Sequence, residues 1–399
     1  MTERSFARDV VIVGGCGRVG LPLGLAFADR GLRVALYDVN QRAIDTLNGG
    51  TMPFWEPGAD EVLPRVLGTN LIASADPSIV AEAETVIVVI GTPVDEHLNP
   101  DVHCVPLVVE DLAPLMSAGQ LLVLRSTLYP GVTALVENLV KRLGLDVEVA
   151  FCPERIAQGK ALTELYELPQ LVSGRSTDAQ ERAAKLFRNL TTEIVFLSPE
   201  EAELAKLYTN AWRYIKMATA NQLYTMANDF GLDYEKIRAA LAYGYPRAAD
   251  LPRAGFAAGP CLFKDTMQLA AFNNNQFNLG HAAMMVNEGM PLYVLARLEQ
   301  RFDLSKMTVG ILGMAFKADC DDRRSSLSYK LKRILKFKAA RVMCTDPYVA
   351  DDPELEPLEK VLAECDLLVV GVPHTVYADL EPRQPVADVW NLFGDGVVV

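Results

Sequence analysis

The chain has 399 residues, half of them hydrophobic. This length is more than one hydrophobic core normally holds, so we predict two or three domains. Its 51 acidic and 38 basic residues give a net charge of −13, which argues against a nucleic acid or an anionic membrane as partner. The seven cysteines are scattered, residues 1–9 lack a signal-peptide core, and no apolar run approaches about 20 residues. We therefore expect a cytoplasmic protein with free thiols and no membrane span.

The first stretch of the chain contains a glycine-rich turn between a strand and a helix. We predict a buried strand over 10–13, a helix over 21–29 and a second strand over 33–37. The turn after the first strand reads Gly-x-Gly-x-x-Gly, and an aspartate follows the second strand. This order of strand, glycine turn, helix, strand and acid is the context in which the dinucleotide-binding fingerprint is meaningful.

The residues of the fingerprint have separate predicted tasks in binding a dinucleotide. Gly15 makes the turn, Gly17 lets the backbone approach a pyrophosphate at the helix N-terminus, and Gly20 lets the helix pack on the strand. Asp38 is expected to accept from the ribose hydroxyls and to repel a 2′-phosphate, which favours NAD over NADP. The predicted cofactor-binding residues of this segment are Gly15, Gly17, Arg18, Val19, Gly20 and Asp38.

Three further buried strands are followed by polar residues. The strands are predicted over 85–90, 121–124 and 147–151. Thr92, Thr127 and Glu154 follow them, at the strand ends where open parallel sheets bind ligands. The alternative for the threonines is helix capping or a local turn, and the alternative for Glu154 is a surface carboxylate.

A long helix is predicted over 198–230, beginning with a Ser-Pro-Glu-Glu capping sequence. Because this is long for a globular helix, we expect it to link domains or to form a subunit contact. Lys206 and Asn210 are one turn apart and share a face of this helix, although a helical lysine is more often simply solvated.

Cys261 lies between a Gly-Pro break and a Lys-Asp pair. We expect it to start a helix or end a tight loop, where a helix N-terminus and a nearby lysine favour the nucleophilic thiolate. Asp265 is one turn further on and is a candidate general base. The alternative is a buried structural cysteine. A short helix is predicted over 235–243, and a helical pattern runs from 265 to 302.

The last part of the chain repeats an αβ pattern, which predicts a second doubly wound domain. Strands are expected over 308–312, 341–344 and 367–370, with a helix over 326–337. The predicted fold class is α/β, with an N-terminal Rossmann domain (1–197), a central long-helix dimerisation region (198–303) and a C-terminal Rossmann-like domain (304–399).

Taken together, these motifs resemble the UDP-glucose/GDP-mannose dehydrogenase family over nearly the whole chain. The segments that carry the resemblance are 15–20, Gly91-Thr92-Pro93, Ser126-Thr127, Cys152-Pro153-Glu154-Arg155, Glu203-x-x-Lys206-x-x-x-Asn210, Gly259-Pro260-Cys261-x-x-Lys264-Asp265, Gly313-Met314-Ala315-Phe316-Lys317 with Asp322-x-Arg324, and Thr345-Asp346-Pro347. The resemblance implies NAD as cofactor, a UDP-sugar as substrate, no metal, and a homodimer or higher homo-oligomer.

The family chemistry implied is a double oxidation at C6 of the sugar. Cys261 adds to the aldehyde made in the first oxidation, the second oxidation leaves a thioester, and water releases the uronate. The resemblance implies that Lys206 and Asn210 stabilise the oxyanion and that Asp265 positions or deprotonates the water. It implies a second proton path through Glu154 and Thr127. The cofactor is further assigned to Thr92, Thr127, Lys264 and Arg324, and the substrate is assigned to Glu154, Arg155, Lys206, Asn210, Arg247, Gly255 and Lys317.

The sugar stays open at this point. Gln158 stands where many glucose-type members have a second glutamate, and this resembles the N-acetylhexosamine branch. The run from Cys261 to Asp265 resembles the glucose branch instead. Two other functions are alternatives: a β-hydroxyacid-type dehydrogenase that makes one two-electron oxidation without a cysteine, and a non-catalytic NAD-binding protein.

Overall fold

A computed structural model describes residues 6–95 and 97–394. The chain forms two compact units, Met1–Tyr208 and Thr209–Val399. The helices are α1 (Gly20–Asp29), α2 (Gln41–Asn48), α3 (Ala59–Val66), α4 (Cys104–Leu112), α5 (Val132–Arg142), α6 (Ala161–Glu167), α7 (Thr177–Phe187), α8 (Pro199–Asp229), α9 (Tyr234–Ala242), α10 (Leu262–Phe272), α11 (Asn278–Arg301), α12 (Leu327–Leu335) and α13 (Leu358–Glu364). No helix within the described ranges is both long and apolar enough to span a membrane.

The first unit is built on an eight-stranded sheet in the order β3-β2-β1-β4-β5-β6-β7-β8. Its strands are β1 (Arg8–Val13), β2 (Val34–Tyr37), β3 (Leu71–Ser74), β4 (Ala83–Val88), β5 (Leu121–Leu124), β6 (Glu148–Phe151), β7 (Gln170–Gly174) and β8 (Ile194–Leu197). All neighbouring strands are parallel except β6 and β7. The central strands are buried on both faces, which explains why they read as continuous apolar runs.

The second unit contains a smaller parallel sheet in the order β10-β9-β11-β12. Its strands are β9 (Thr308–Leu312), β10 (Arg341–Thr345), β11 (Leu367–Val370) and β12 (Val386–Ala387). The largely parallel first sheet, the parallel second sheet and the long helices confirm the predicted α/β fold class. In both sheets the first strand has later strands on both of its sides: β2 and β4 flank β1, and β10 and β11 flank β9. The order in which strands are added therefore reverses at the first strand, and doubly wound sheets bind ligands at such a switch point.

One predicted element is wrong in its extent. The helical pattern expected over 265–302 is two helices, because the backbone leaves the helix at 273–277 between α10 and α11. Asn274 and Asn275 adopt left-handed conformations there, with φ of 51° and 58°. Asparagine tolerates this conformation better than most residues, so the asparagine run is the signal that marks the break.

Candidate active site

The glycine turn of the first unit has the steric form that a dinucleotide requires. Gly14 takes a φ of +77°. A Cβ on Gly15 would come within 2.7 Å of the Ile12 carbonyl oxygen, and one on Gly20 within 2.5 Å of the Gly14 oxygen. Gly17 differs, because it is exposed and a Cβ there would meet only the Gly14 oxygen at 3.3 Å. Gly15 and Gly20 therefore serve the packing of the turn, whereas Gly17 leaves space for a ligand to approach the backbone.

The start of α1 is suited to an anion. Val19 precedes the helix and carries no side-chain acceptor that could cap it. The Leu21 N–H already donates to the Gly17 oxygen at 2.9 Å and Pro22 has no N–H, so the helix start offers an anion mainly the positive end of its dipole. Arg18 is half-buried, with its guanidinium stacked 4.9 Å from the centre of the Phe54 ring. The turn thus fits NAD in the close backbone approach that Gly17 allows and in the positive end of the helix dipole beside it.

Asp38 lies at the end of β2 and is tied to the glycine turn. Its Oδ2 accepts a hydrogen bond of 2.9 Å from the Cys16 N–H, and its Oδ1 accepts one of 2.9 Å from the Asn40 N–H. Each carboxylate oxygen keeps a further lone pair with which it can accept from a ribose hydroxyl. The two backbone donors therefore orient Asp38 without using up its capacity.

The loops after β4 and β5 come together at the carboxyl end of the sheet. Ser126 Oγ accepts from the Ile90 N–H at 2.8 Å and so joins the two strand ends. Thr92 is buried in the first loop and Thr127 is half-buried in the second. Neither threonine is an N-cap, because the next helices are capped at His103 and Gly131, so the capping alternative does not apply.

Glu154 lies in a buried ion pair that was not predicted from the sequence. Arg125, 1% exposed, donates from Nη2 to Glu154 Oε2 and from Nη1 to the Cys152 oxygen at 3.0 Å and to Gln170 Oε1 at 3.2 Å. Its guanidinium also lies 4.7 Å from the centre of the Phe187 ring. An arginine directly after a buried strand was the available signal, since a cation at that position requires a buried partner.

The rest of the 152–155 segment is also held by backbone contacts. Glu154 Oε1 accepts from the N–H groups of Arg155 at 2.7 Å and Ile156 at 2.9 Å. Arg155 donates from Nη2 to the Pro169 oxygen, and burial lowers the pKa of its guanidinium. Glu154 thus shapes this turn, and its predicted acid/base role stays a prediction.

Glu203 links α8 to the start of α5. Its carboxylate accepts from the Gly131 N–H at 2.6 Å, the Thr133 N–H at 2.8 Å and the Thr133 hydroxyl at 2.6 Å. Burial raises the pKa of Glu203, against the lowering effect of these donors. The contact holds the β5–α5 loop, which carries Thr127, against the turn of α8 that precedes Lys206, a half-buried lysine.

The second unit brings together four of the predicted catalytic or cofactor residues. Cys261 is the exposed N-cap of α10, and its carbonyl accepts from the Asp265 N–H at 2.8 Å. The Asp265 carboxylate is fully buried. Asn210 Nδ2 donates to its Oδ2 at 2.5 Å, and Lys264 Nζ lies 2.7 Å from its Oδ1. The exposed thiol excludes the alternative of a buried structural cysteine.

A motif from the C-terminal sheet packs around the cysteine turn. Gly259 has a φ of +106°, and a Cβ there would lie 2.7 Å from the Phe316 ring. Arg324 is held by Asp322, with Nη2 donating to Oδ2 at 2.7 Å. The hydrogen bond to Asp322 is the largest cause of the raised pKa of Arg324, and the negative charge of a Cys261 thiolate adds to it. The guanidinium is therefore within electrostatic range of the sulfur.

The remaining predicted substrate residues differ in their surroundings. Arg247 is exposed and stacks 5.5 Å from the centre of the Tyr245 ring, while Lys317 is half-buried in the loop after β9. Gly255 donates to Asn221 Oδ1 at 2.9 Å, and a Cβ there would overlap the Trp390 ring at 2.2 Å. Gly255 is therefore required by packing inside the unit. No cluster of three or more metal-ligating side chains occurs within 6–95 and 97–394.

Comparison with known proteins identifies the family. Three sequence profiles of the UDP-glucose/GDP-mannose dehydrogenase family match: its NAD binding domain over 9–191, its central domain over 200–289 and its UDP binding domain over 310–395. The chain belongs to this family. It is therefore an enzyme of the NAD-dependent nucleotide-sugar dehydrogenases, with a UDP-binding domain at its C-terminal end. The predicted domain limits remain predictions.

Curated relatives and solved structures agree with this assignment. The UDP-N-acetyl-D-mannosamine dehydrogenase of Pyrococcus horikoshii is 31% identical over 91% of this chain and 89% of its own length. That of Escherichia coli is 30% identical over 94% and 95%. The structure of the P. horikoshii UDP-D-ManNAc dehydrogenase superposes with a TM-score of 0.90 at 27% identity, covering 98% of this chain and 97% of that one.

A UDP-glucose dehydrogenase from Pyrobaculum islandicum superposes almost as well, with a TM-score of 0.88 at 27% identity and coverage of 98% and 96%. The 3-hydroxyisobutyrate dehydrogenase of Salmonella typhimurium has a TM-score of 0.51 at 16% identity, covering 73% of this chain and 95% of that one. This last likeness concerns the fold alone, so it carries no support for the β-hydroxyacid alternative.

Proposed function

We propose that the chain oxidises a UDP-N-acetylhexosamine, of the UDP-N-acetylmannosamine type, at C6 to the uronate, with Cys261 as the covalent nucleophile. The observation that carries the proposal is the environment of Cys261, an exposed thiol at the start of α10 with a guanidinium in electrostatic range. A helix N-terminus and a nearby cation both favour the thiolate, which is the nucleophilic form.

Two observations support the acetylated sugar. The first relatives that match are all named UDP-N-acetyl-D-mannosamine dehydrogenase, at 26% to 31% identity. Gln158 stands where the glucose branch often has a glutamate, which agrees with them. The high structural likeness to a UDP-glucose dehydrogenase leaves UDP-glucose as the competing substrate, because both share the fold.

The proposed chemistry balances as one alcohol, one water and two NAD converted to one carboxylate, two NADH and three protons. NAD, when bound, accepts a hydride in each of the two oxidations. The Cys261 thiolate forms a C–S bond to the aldehyde carbon, which keeps the C–H that is lost in the second oxidation. Water then attacks the thioester carbonyl, and the C–S bond breaks to regenerate the thiolate. A thiolate is a better leaving group here than an alkoxide.

The test is Cys261→Ser, with Cys104→Ser as the matched control because Cys104 is a half-buried cysteine in the first unit. We expect the Cys261 variant to bind NAD and UDP-sugar but to make no uronate, whereas the control keeps its turnover. NADH and uronate are measured with UDP-N-acetylmannosamine, UDP-N-acetylglucosamine and UDP-glucose. Uronate formed by folded Cys261→Ser at the parental rate would remove the cysteine from the mechanism, and one NADH per sugar would favour the two-electron alternative.

We also propose that α8 forms a subunit contact. Trp212, Leu223, Met226 and Phe230 are exposed by 59%, 39%, 62% and 83%. Trp212, Leu223 and Met226 lie on α8 at spacings of eleven and three residues, which places them on one stripe of the helix, and Phe230 directly follows the end of the helix, four residues after Met226. An apolar stripe of this kind is typical of an interface. Light scattering is expected to give at least a dimer, and Trp212→Glu is expected to weaken it; a monomer at all concentrations would contradict the proposal.

A further inference from the structure

Three loops of the C-terminal sheet are joined by a buried cluster that the proposed chemistry does not use. The loops follow β9, β10 and β11, and they contribute Asp319, Asp346 and His374, which we call the His374 clip. The side chains of His374 and Asp346 are both completely buried. Tyr348 and Tyr377 flank the imidazole, with ring centres 5.0 and 5.4 Å from it.

The hydrogen bonds of His374 specify its protonation. Its Nδ1 accepts from the Asp319 N–H at 2.9 Å, so this nitrogen carries no proton. The ring hydrogen therefore lies on Nε2, which is 3.0 Å from Asp346 Oδ2 and donates to it. His374 is thus a neutral imidazole in one tautomer, with a donor on one side and an acceptor on the other.

The clip holds the loop after β9 on both sides of Lys317. Before the lysine, Asp346 Oδ2 accepts from the N–H groups of Met314 at 2.6 Å and Ala315 at 2.9 Å. After the lysine, the Asp319 N–H is held by His374 at a residue with a left-handed φ of 50°. A non-glycine residue rarely takes this conformation unless its surroundings impose it.

The side chain of Asp319 ties the same loop to the β11 loop. Its Oδ1 accepts from the Thr375 N–H at 2.9 Å, and its Oδ2 accepts from the Thr375 hydroxyl. Loss of the His374 acceptor would leave the Asp319 N–H without its hydrogen-bond partner, while the contacts of the Asp319 side chain with Thr375 remain. The loop would then relax at the point that orients Lys317, because a buried N–H that loses its acceptor is costly.

We propose that His374 is a positioning residue for nucleotide binding, which as a neutral imidazole holds the 314–319 loop so that Lys317 reaches the diphosphate of the substrate. This rests on the proposed function, in which Lys317 binds the UDP-sugar. The imidazole touches no reacting atom in this role, and it acts only through the lysine. A bound diphosphate is an anion that a lysine attracts as a point charge, so a displaced lysine weakens binding.

A double-mutant cycle on UDP affinity tests the proposal. UDP binding is measured by titration calorimetry for the parent, His374→Gln, Lys317→Ala and the double variant. Glutamine keeps a donor near the Nε2 position but offers no acceptor to Asp319. We expect His374→Gln to weaken UDP about tenfold and the double variant to bind no more weakly than Lys317→Ala, a coupling of about tenfold. NAD affinity is expected to stay unchanged, as is UDP affinity in the control His281→Gln.

Each other outcome overturns a defined claim. Parental UDP affinity in His374→Gln, or independent losses in the double variant, would remove His374 from the positioning role while leaving the proposed function intact. A parent protein that binds no UDP would overturn the proposed function and this inference with it. His374→Asn keeps an acceptor near the Nδ1 position, and it is expected to weaken UDP less than the glutamine variant.

The unmodified protein supplies a measurement that does not depend on the folding of a variant. The chain has only four histidines, so nitrogen-15 labelling of histidine gives a spectrum in which each ring can be assigned. We expect the His374 ring to carry its proton on Nε2 and none on Nδ1, as its two hydrogen bonds require. A proton on Nδ1 would contradict the hydrogen-bond pattern and therefore the proposal.

Discussion

Glu154→Gln separates a structural from a catalytic role for the glutamate of the 152–155 segment. The substitution removes the negative charge and keeps the shape and one acceptor oxygen, which can still receive the N–H groups of Arg155 and Ile156. Arg125 then stays 1% exposed with a positive charge and no carboxylate, although the Cys152 and Gln170 oxygens remain at 3.0 and 3.2 Å. The cost of the variant is therefore the cost of an uncompensated buried cation.

The expected loss of stability depends on the hydrogen-bond acceptors that remain around Arg125. Breaking a buried ion pair by removing one partner costs about 3 to 5 kcal/mol, and the two neutral acceptors place Glu154→Gln near 3 kcal/mol. For a unit of this size that lowers Tm by about 6 to 12 °C. Replacing both partners by apolar residues, as in Arg125→Met with Glu154→Leu, is expected to recover most of the loss because no charge is then left buried.

Thermal unfolding followed by calorimetry provides the assay, with turnover measured well below the transition. Glu164→Gln is the matched control, since Glu164 is half-buried and accepts only from the Ala157 N–H in this segment. That variant is expected to lose at most about 1 kcal/mol. A Glu154→Gln protein that melts with the parent but has lost turnover would refute the structural role and support the acid/base role predicted from the sequence.

Two further predictions concern stability. Because burial raises the pKa of Glu203, the protonated form is favoured in the folded state, so its contribution to stability is complete below the ordinary glutamate pKa of about 4.3 and is lost as pH rises through the raised value. The free energy of unfolding, measured with urea at several pH values, should show this pH dependence in the parent and not in Glu203→Gln. The same change of unfolding free energy with pH in both proteins would contradict the prediction. Gly255→Ala is expected to destabilise the second unit by about 1 to 3 kcal/mol because its Cβ meets the Trp390 ring at 2.2 Å. Gly289→Ala in α11, where no atom lies within 4 Å of an added Cβ, should instead stabilise by about 0.5 to 1 kcal/mol. Thermal unfolding in which Gly255→Ala proves more stable than Gly289→Ala would refute the packing argument.

The fold was predictable because its strands are buried on both faces. β1, β4, β5 and β11 are short apolar runs bounded by glycine or polar residues, and a parallel sheet leaves little ambiguity in such runs. The edge strands β8 and β12 were not predicted, because β8 has no buried residue, with two exposed residues between two half-buried ones, and β12 has two residues. The break between α10 and α11 was missed although the polar run over 273–276 marks it, because polar residues also occur within helices and the left-handed conformation of Asn274 and Asn275 is a local backbone property.

The site was predictable in its residue types and less so in its contacts. Spacing along a helix correctly placed Asp265 one turn after Cys261, yet the carboxylate is fully buried while the thiol is exposed. Sequence distance fixes where the backbone lies, whereas burial depends on what the rest of the unit packs against that turn. Asn210 is 55 residues away in sequence and supplies the hydrogen bond that holds Asp265, a contact that no local pattern contains.

The acidic residues of the motifs share one structural role, which is to orient loops. Their spacing in the sequence therefore helps to predict the fold even where the residues take no part in the reaction. Glu203 receives the first N–H groups of α5, Asp322 receives the Arg324 guanidinium, and Asp346 receives the N–H groups after β9. Each carboxylate orients a loop at the end of a strand or the start of a helix, where backbone donors would otherwise lack a partner. A loop held in this way loses little further conformational freedom on binding a nucleotide, so a carboxylate that touches no ligand still affects affinity.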